Sequence, residues 1–282
     1  MAQVRETAVV LDVASVASLL ALGLGCGFLA GLLGVGGGMV MAPLLAAVLA
    51  WQGVPLDMQV HVAIATAMAT ILFTSLSSAR AHSRRGAVRW HVVAAMVPGL
   101  ILGGLLSGGA AFAWLPAAWL SLGFGLFVGY SALRMLTARP VAADRALPGA
   151  LGLGAAGTGI GFISGLVGAG GGFLSVPFMT RRNVPLAHAI GTSAALGFPI
   201  AAANTVGYVW SGWHETAGQP GMVGFIAWPV LIVVSIASML AAPAGAAMAH
   251  RLPVHRLKRA FAGMLFLLAC YMLWKSYTAF VA

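Results

Sequence analysis

Apolar residues run in long uncharged stretches along nearly the whole chain, interrupted by short polar or basic segments rather than alternating with them. Such runs read as membrane-crossing helices, each needing roughly 20 residues at about 1.5 Å per residue. They place helices near 8–33, 38–51, 58–79, 90–109 and 114–137, and a second series near 148–168, 172–181, 187–211, 222–249 and 257–281. Two of these, 38–51 and 172–181, are too short to span a bilayer, and each directly follows a run of glycines. The first apolar stretch, 7–33, is too long for the core of a cleaved signal and lacks a small-residue cleavage site, so it is expected to remain as a helix. One polar segment, 137–148, carries Arg139, Pro140, Asp144 and Arg145. It divides the chain into a first transmembrane repeat (1–138), a cytoplasmic linker (139–147) and a second transmembrane repeat (148–282).

The two series match in sequence as well as in pattern. A shift of 134 residues lays Gly23, Gly25, Gly27, Phe28, Gly31, Leu32, Gly34, Gly36, Gly37, Gly38 and Pro43 on identical residues from Gly157 to Pro177. Further on, Ile64-Ala65-Thr66-Ala67 corresponds to Ile190-Gly191-Thr192-Ser193 at a shift of 126, so the first half carries the longer connection. The chain is expected to be an internal duplication.

Charge changes the picture by giving the halves a direction. Of the fifteen Lys and Arg, thirteen lie in four connections: 80–89, the mid-chain linker with Arg134, the pair Arg181 and Arg182, and 251–259. The connections near 52–57, 110–113 and 212–221 have none. If each glycine-linked helix pair enters and leaves on one face, every basic connection falls in the cytoplasm, with Arg5 and Lys275 the exceptions. Five elements per half is an odd number, so the halves run in opposite senses. The expected fold is an all-α polytopic membrane protein with two inverted repeats of about five helical elements each, broken by short helices after the glycine runs. Secondary transporters often build a site reachable from either face in this way.

Composition agrees. Apolar residues are 61% of the chain and charged ones 7%, against roughly 25% charged in soluble domains, so the lipid bilayer is its main surroundings. The net charge of +10 sits in short connections and forms no continuous basic face, which excludes nucleic acid as a partner. Cys26 and Cys270 lie in different apolar segments and are expected to pack as small buried hydrophobes, with neither a disulfide nor a metal spacing.

Candidate chemistry centres on the glycines. Gly23, Gly27 and Gly31, like Gly157, Gly161 and Gly165, recur every four residues and suit close helix packing in lipid, within or between chains, which leaves a homo-oligomer open. The runs Gly34-Val35-Gly36-Gly37-Gly38 and Gly168-Ala169-Gly170-Gly171-Gly172 instead break a helix inside the membrane and start a short one. A helix start offers unpaired N–H groups and partial positive charge, which suits an anion. No βαβ context surrounds either run, so a dinucleotide cofactor is not expected. Thr66, Thr192 and Ser193 occupy matching places after the short helices, and Asn204 lies in an apolar segment. The candidate substrate residues are therefore Gly34, Gly36, Gly37, Gly38 and Thr66 from the first half, and Gly168, Gly170, Gly171, Gly172, Thr192, Ser193 and Asn204 from the second.

The five acids, Glu6, Asp12, Asp57, Asp144 and Glu215, all fall near segment ends or in connections. Cation and proton-coupled pathways usually place a carboxylate in the membrane, so a neutral or anionic small substrate is favoured. His61 and His188, near the starts of equivalent helices, are the candidates for proton coupling. His82, His91, His214, His250 and His255 read as headgroup-level residues. No nucleophile with a base and no metal-ligand spacing appears, which excludes an enzyme.

With these residues in view, the chain resembles the sulfite exporter TauE/SafE family. The resemblance rests on Gly31-Leu32-Leu33-Gly34-Val35-Gly36-Gly37-Gly38 with Pro43, and on Gly165-Leu166-Val167-Gly168-Ala169-Gly170-Gly171-Gly172 with Pro177. Residues 189–193, Arg84-Arg85-Gly86-Ala87-Val88 and Ala242-Pro243-Ala244-Gly245 add to it. It implies a multi-pass protein of the bacterial inner membrane that exports a small sulfur-containing anion such as sulfite, sulfoacetate or another sulfonate. An importer of such anions and a non-transporting accessory or assembly subunit stay open as alternatives. In the first half Ala65-Thr66-Ala67 departs from the family's Gly-Thr-Ser-like pattern and loses a hydroxyl, so the two half-sites are expected to contribute unequally.

Overall fold

The computed structural model describes residues 12–33, 37–137, 146–249 and 254–281, the side chains at 33, 110 and 254–260 excepted. The first five helices are α1 (Val13–Leu33), α2 (Gly38–Trp51), α3 (Leu56–Ser83), α4 (Trp90–Trp114) and α5 (Ala117–Thr137). The next are α6 (Ala150–Val167), α7 (Gly172–Thr180), α8 (Leu186–Gly212), α9 (Trp228–Ala249) and α10 (Val254–Val281). Eight of them are long and apolar enough to cross a membrane, and the two short ones, α2 and α7, are those that follow the glycine runs.

The helix ends have local causes. Asp12 caps α1, its carboxylate accepting the Ser15 N–H at 2.9 Å, and its hydrogen bonding to Ser15 holds the carboxyl below the usual aspartate range. α3 and α8 start after Pro55 and Pro185, whose fixed φ suits a helix entrance. Two boundaries differ from the sequence pattern. The expected break at 110–113 lies inside α4, which widens into a π-helical turn over Ser107–Ala111 and continues to Trp114. The chain leaves the helix at Leu115, in extended conformation, because the following Pro116 disfavours helical geometry there. The segment expected as helix from 222 begins instead as a small hairpin. Its strands β1 (Met222–Val223) and β2 (Ile226–Ala227) pair antiparallel and turn at Gly224, which has positive φ. Helix begins only at Trp228.

Glycines bring the halves together. On α1, Gly23 faces Val234 and Ala237 of α9, Gly27 faces Ser238, and Gly31 faces Ala242 and Ala246. A methyl group at Gly31 would overlap the Ala242 carbonyl. The partner pair α4–α6 repeats this: Gly99 and Gly103 face Gly154 and Thr158, while Gly157 and Gly161 face Met96 and Leu100. Small residues permit this backbone contact in lipid, where no hydrophobic force drives helices together. Both pairs run parallel, since residue numbers rise together.

Two further pairs run the other way. Along α3 and α8, Gly197 meets Ser75 while Thr192, earlier in α8, reaches Arg89 just beyond α3. Along α5 and α10, Trp119 packs on Phe280 and Gly125 on Leu273. α3 and α8 form the centre: 78% and 61% of their spans are buried, against 28–50% for the other six.

All eight tryptophans are exposed, and they stand at or near helix ends, as aromatic belts do at membrane interfaces. Six of them, Trp51, Trp114, Trp119, Trp210, Trp213 and Trp228, lie at ends joined by connections that lack Lys and Arg, and the seventh, Trp274, lies toward the end of α10 that packs on Trp119. Trp90 is the exception. Cys26 is buried as expected, but Cys270 is exposed; a thiol is apolar enough to face lipid.

Candidate functional site

The short helices after the two glycine runs start alike, and the described residues of the two runs touch. Gly37 and Gly171, each preceding a short helix, share a left-handed conformation (φ 76°, ψ −14° and φ 73°, ψ −13°). Gly168, which ends α6, is left-handed too. A Cβ at Gly37 would lie 2.9 Å from the Cys26 carbonyl oxygen and 3.3 Å from Ala30. One at Gly171 would lie 3.3 Å from Ile160 and 3.4 Å from Ser164 Oγ. Positions 26 and 30 correspond to 160 and 164 at the shift of 134, so the breaks agree in space as in sequence. They meet at Gly38, where any side chain would overlap the Gly168 carbonyl and press within 2.7 Å of Ile71. Gly168 in turn sits against Ile64. Both breaks thus lie against central α3. Gly34 and Gly36 fall outside the described residues.

The second break exposes its amides in a defined way. The Ala169 N–H bonds the Ser164 carbonyl at 3.1 Å and the Gly171 N–H bonds the Ala169 carbonyl at 2.7 Å, while Leu174 and Ser175 already bond back to Gly171. The amides of Gly172 and Phe173 open α7 and have no carbonyl to reach within it. Gly170, Gly171 and Gly172 are buried. Ser175 Oγ donates to Ser193 Oγ at 2.8 Å, tying α7 to α8. The structure therefore brings Gly37, Gly38, Gly168, Gly170, Gly171, Gly172 and Ser193 to one region.

The two threonine oxygens each accept a backbone amide, in the same manner, which leaves each hydroxyl its own proton to donate. Thr66 Oγ1 accepts the Ala227 N–H at 3.0 Å, and Thr192 Oγ1 accepts the Arg89 N–H at 3.0 Å. Each amide immediately precedes a tryptophan that starts a helix, Trp228 or Trp90. Asn204 is also committed: Nδ2 donates to the Ile200 carbonyl at 2.8 Å, and Oδ1 accepts from Ser107 in the π turn at 2.9 Å. Gly165 packs against that pair, and Tyr208 donates to the Gly165 carbonyl. The first half has the counterpart, since buried His82 bonds the Gly31 carbonyl at 3.0 Å. His82, expected at headgroup level, is thus enclosed within the bundle in the last turn of α3. A carbonyl one turn from each break needs a donor from α3 or α8, and His82 and Tyr208 supply it.

The two histidine candidates stand apart, at the starts of antiparallel α3 and α8. His61 is buried, with Nδ1 at 3.0 Å from the Asp57 carbonyl and Nε2 at 3.1 Å from that of Leu115. Its ring stacks on Phe225 of the hairpin at 5.1 Å and meets the edge of Phe112 at 5.0 Å. His188 is half-buried, its Nδ1 inside the protein and without a hydrogen-bond partner among the described residues.

Three buried polar groups near these elements escaped the sequence. Lys275 is 3% exposed and donates to Gln59 Oε1 and, at 3.4 Å, to the Ala46 carbonyl, joining α10 to α3 and α2. Its place inside the bundle explains why it broke the loop-charge pattern. Ser164 and Ser175 were hidden because an isolated serine in an apolar helix usually bonds its own backbone. Comparing the halves position by position would have found them, since Ala30 and Met41 stand where the second half has these hydroxyls.

The family model for the sulfite exporter TauE/SafE matches residues 19–272. A "Probable membrane transporter protein" of Haemophilus influenzae is 31% identical over 252 residues, covering 88% of this chain and 94% of that protein. The "Probable membrane transporter protein YdhB" of Bacillus subtilis is 26% identical, covering 83% and 90%, and one from Methanocaldococcus jannaschii is 24% identical, covering 88% and 91%. No solved structure matches significantly. With the duplicated glycine motif inside the matched region, the chain belongs to the sulfite exporter TauE/SafE family, multi-pass membrane transporters rather than enzymes.

Proposed function

We propose that this transporter exports a small sulfur-containing anion, such as sulfite, sulfoacetate or another sulfonate, across the bacterial inner membrane, holding it where the two glycine breaks meet. The observation that carries this is the contact of Gly38, which starts α2, with the carbonyl of Gly168, which ends α6 shortly before α7 starts, so that the two breaks meet at the centre of the bundle. Helix starts favour anions, and no Asp or Glu among the described residues is buried to repel one. The repeats are inverted: the antiparallel pairs α3–α8 and α5–α10, each made of corresponding helices, support a two-fold axis lying in the membrane plane. The sequence divides accordingly into 1–138 and 148–282 around a cytoplasmic linker.

If protons are coupled, the candidates are His61 and His188, at the starts of corresponding helices α3 and α8. Both ring nitrogens of His61 lie against carbonyl oxygens, of Asp57 and Leu115. The residues packed on it from other elements, Phe112, Leu115 and Phe225, carry no charge.

Flux of sulfite and of a sulfonate in proteoliposomes, in both directions and with or without a pH gradient, tests this. Transport of at least one, abolished by Gly37→Leu or Gly171→Leu in protein that still inserts, is the expected outcome. His61→Gln should remove the dependence on the gradient. Absence of any oxyanion flux would indicate an accessory subunit, and inward flux driven by the gradient an importer.

A further inference from the structure

The corresponding positions around the two breaks differ in one chemical respect. Ala30, Met41 and Ala67 surround the first, whereas Ser164, Ser175 and Ser193 stand at the equivalent positions of the second. All six are at most 1% exposed. The backbone just before each short helix, by contrast, agrees, with Gly37 and Gly171 in matching left-handed conformations and facing corresponding positions 26 and 30 or 160 and 164. The hydroxyls are therefore not needed to make the break. Ser164 is the most informative of them. Its Oγ points toward Gly171, 3.4 Å from where a Cβ would be, and has no hydrogen-bond partner among the described residues. A buried hydroxyl left without a partner is costly, and here it lies beside Gly171, which immediately precedes the two amides that open α7.

Ser175 lies one turn along α7 from Gly171, to whose carbonyl its N–H bonds at 2.8 Å. Its side chain leans back toward the start of the helix, as all helical side chains do, and reaches Ser193 of α8. Donors from α6, α7 and α8 thus gather around one helix start.

We propose that the side-chain donors to the oxyanion group of the substrate come from the second half alone, Ser164, Ser175 and Ser193, which act together with the amides that open α7 where the two breaks meet. At the first break the corresponding side chains, Ala30, Met41 and Ala67, are apolar. The assignment rests on the glycine breaks being the anion site.

The test uses full-length protein in liposomes and sulfite as the probe. Ser164→Ala and Ser193→Ala should each raise the KM for sulfite about tenfold or more while leaving the maximal rate within a few-fold. Sulfite should raise the melting temperature of the wild type by more than that of these variants, and Ser164→Ala, which removes a hydroxyl with no partner among the described residues, should match the wild type without sulfite. Ser121→Ala, which removes a buried hydroxyl bonded within α5 at 2.8 Å, controls for loss of packing and should behave as wild type. Unchanged KM and an unchanged sulfite-induced shift in both serine variants, with Gly171→Leu inactive, would overturn the serine assignment and leave the anion site standing. Wild type that neither moves nor binds any oxyanion would overturn both.

Discussion

Lys275 shows what a single buried charge requires inside this bundle. Among the described residues no carboxylate neutralises it; its partners are the Gln59 amide oxygen and the Ala46 carbonyl. Gln59 in turn donates to the Val54 carbonyl, so one polar string ties α10, α3 and the end of α2. Lys275→Met should destabilise the protein by about 1–3 kcal/mol, because it leaves the Gln59 oxygen buried and unpaired. Adding Gln59→Leu should restore part of that loss, since a buried polar pair can be replaced by apolar groups at little cost. Thermal unfolding of both single variants and the double variant in detergent checks this, and strictly additive losses would show that the string carries no coupling. The same residue marks the limit of sequence reading at this scale. Lys275 breaks the loop-charge pattern, but nothing in the sequence tells a lysine buried among α2, α3 and α10 from one at the interface.

At the scale of elements, helices were legible because lipid admits few alternatives: a chain crossing it must satisfy its own backbone, and long apolar runs are the only way to do so. The places that escaped are short and set by local chemistry, namely the π turn at Ser107–Ala111 and the hairpin before Trp228. The glycine breaks were legible as breaks. Their contact with each other was not, because it depends on how α3 and α8 cross. The motif around Thr66 and Thr192 was also visible, yet its hydroxyls serve the neighbouring elements: each accepts the amide just before α9 or α4. Thr66→Val and Thr192→Val keep the shape and remove that acceptor. Each should cost about 1–3 kcal/mol of stability and leave the KM for sulfite within about twofold. Melting curves measured beside transport kinetics separate the two effects, and a KM rise without a stability loss would place these threonines at the substrate.

At the scale of the whole molecule, orientation is the quantity on which alternating access depends. Arginines gather at one set of helix ends and seven of eight tryptophans at the other, two independent signals of the same polarity. The halves answer each other within it, for α1 packs on α9 as α6 packs on α4, and α3 and α5 pack on their own counterparts. Corresponding helices that cross antiparallel put corresponding connections on opposite faces. The turn after α2, at Gly53, should then lie outside the cell, and the turn after α7, at Asn183, inside it. Single cysteines at these positions, with Cys26 and Cys270 replaced by alanine, report this directly. A membrane-impermeant thiol reagent added to intact cells should modify Gly53→Cys and spare Asn183→Cys until the membrane is opened. Labelling of both from the same face would mean a parallel duplication. The two breaks would then open toward one face, and rocking one half against the other would no longer exchange the site between the two sides of the membrane.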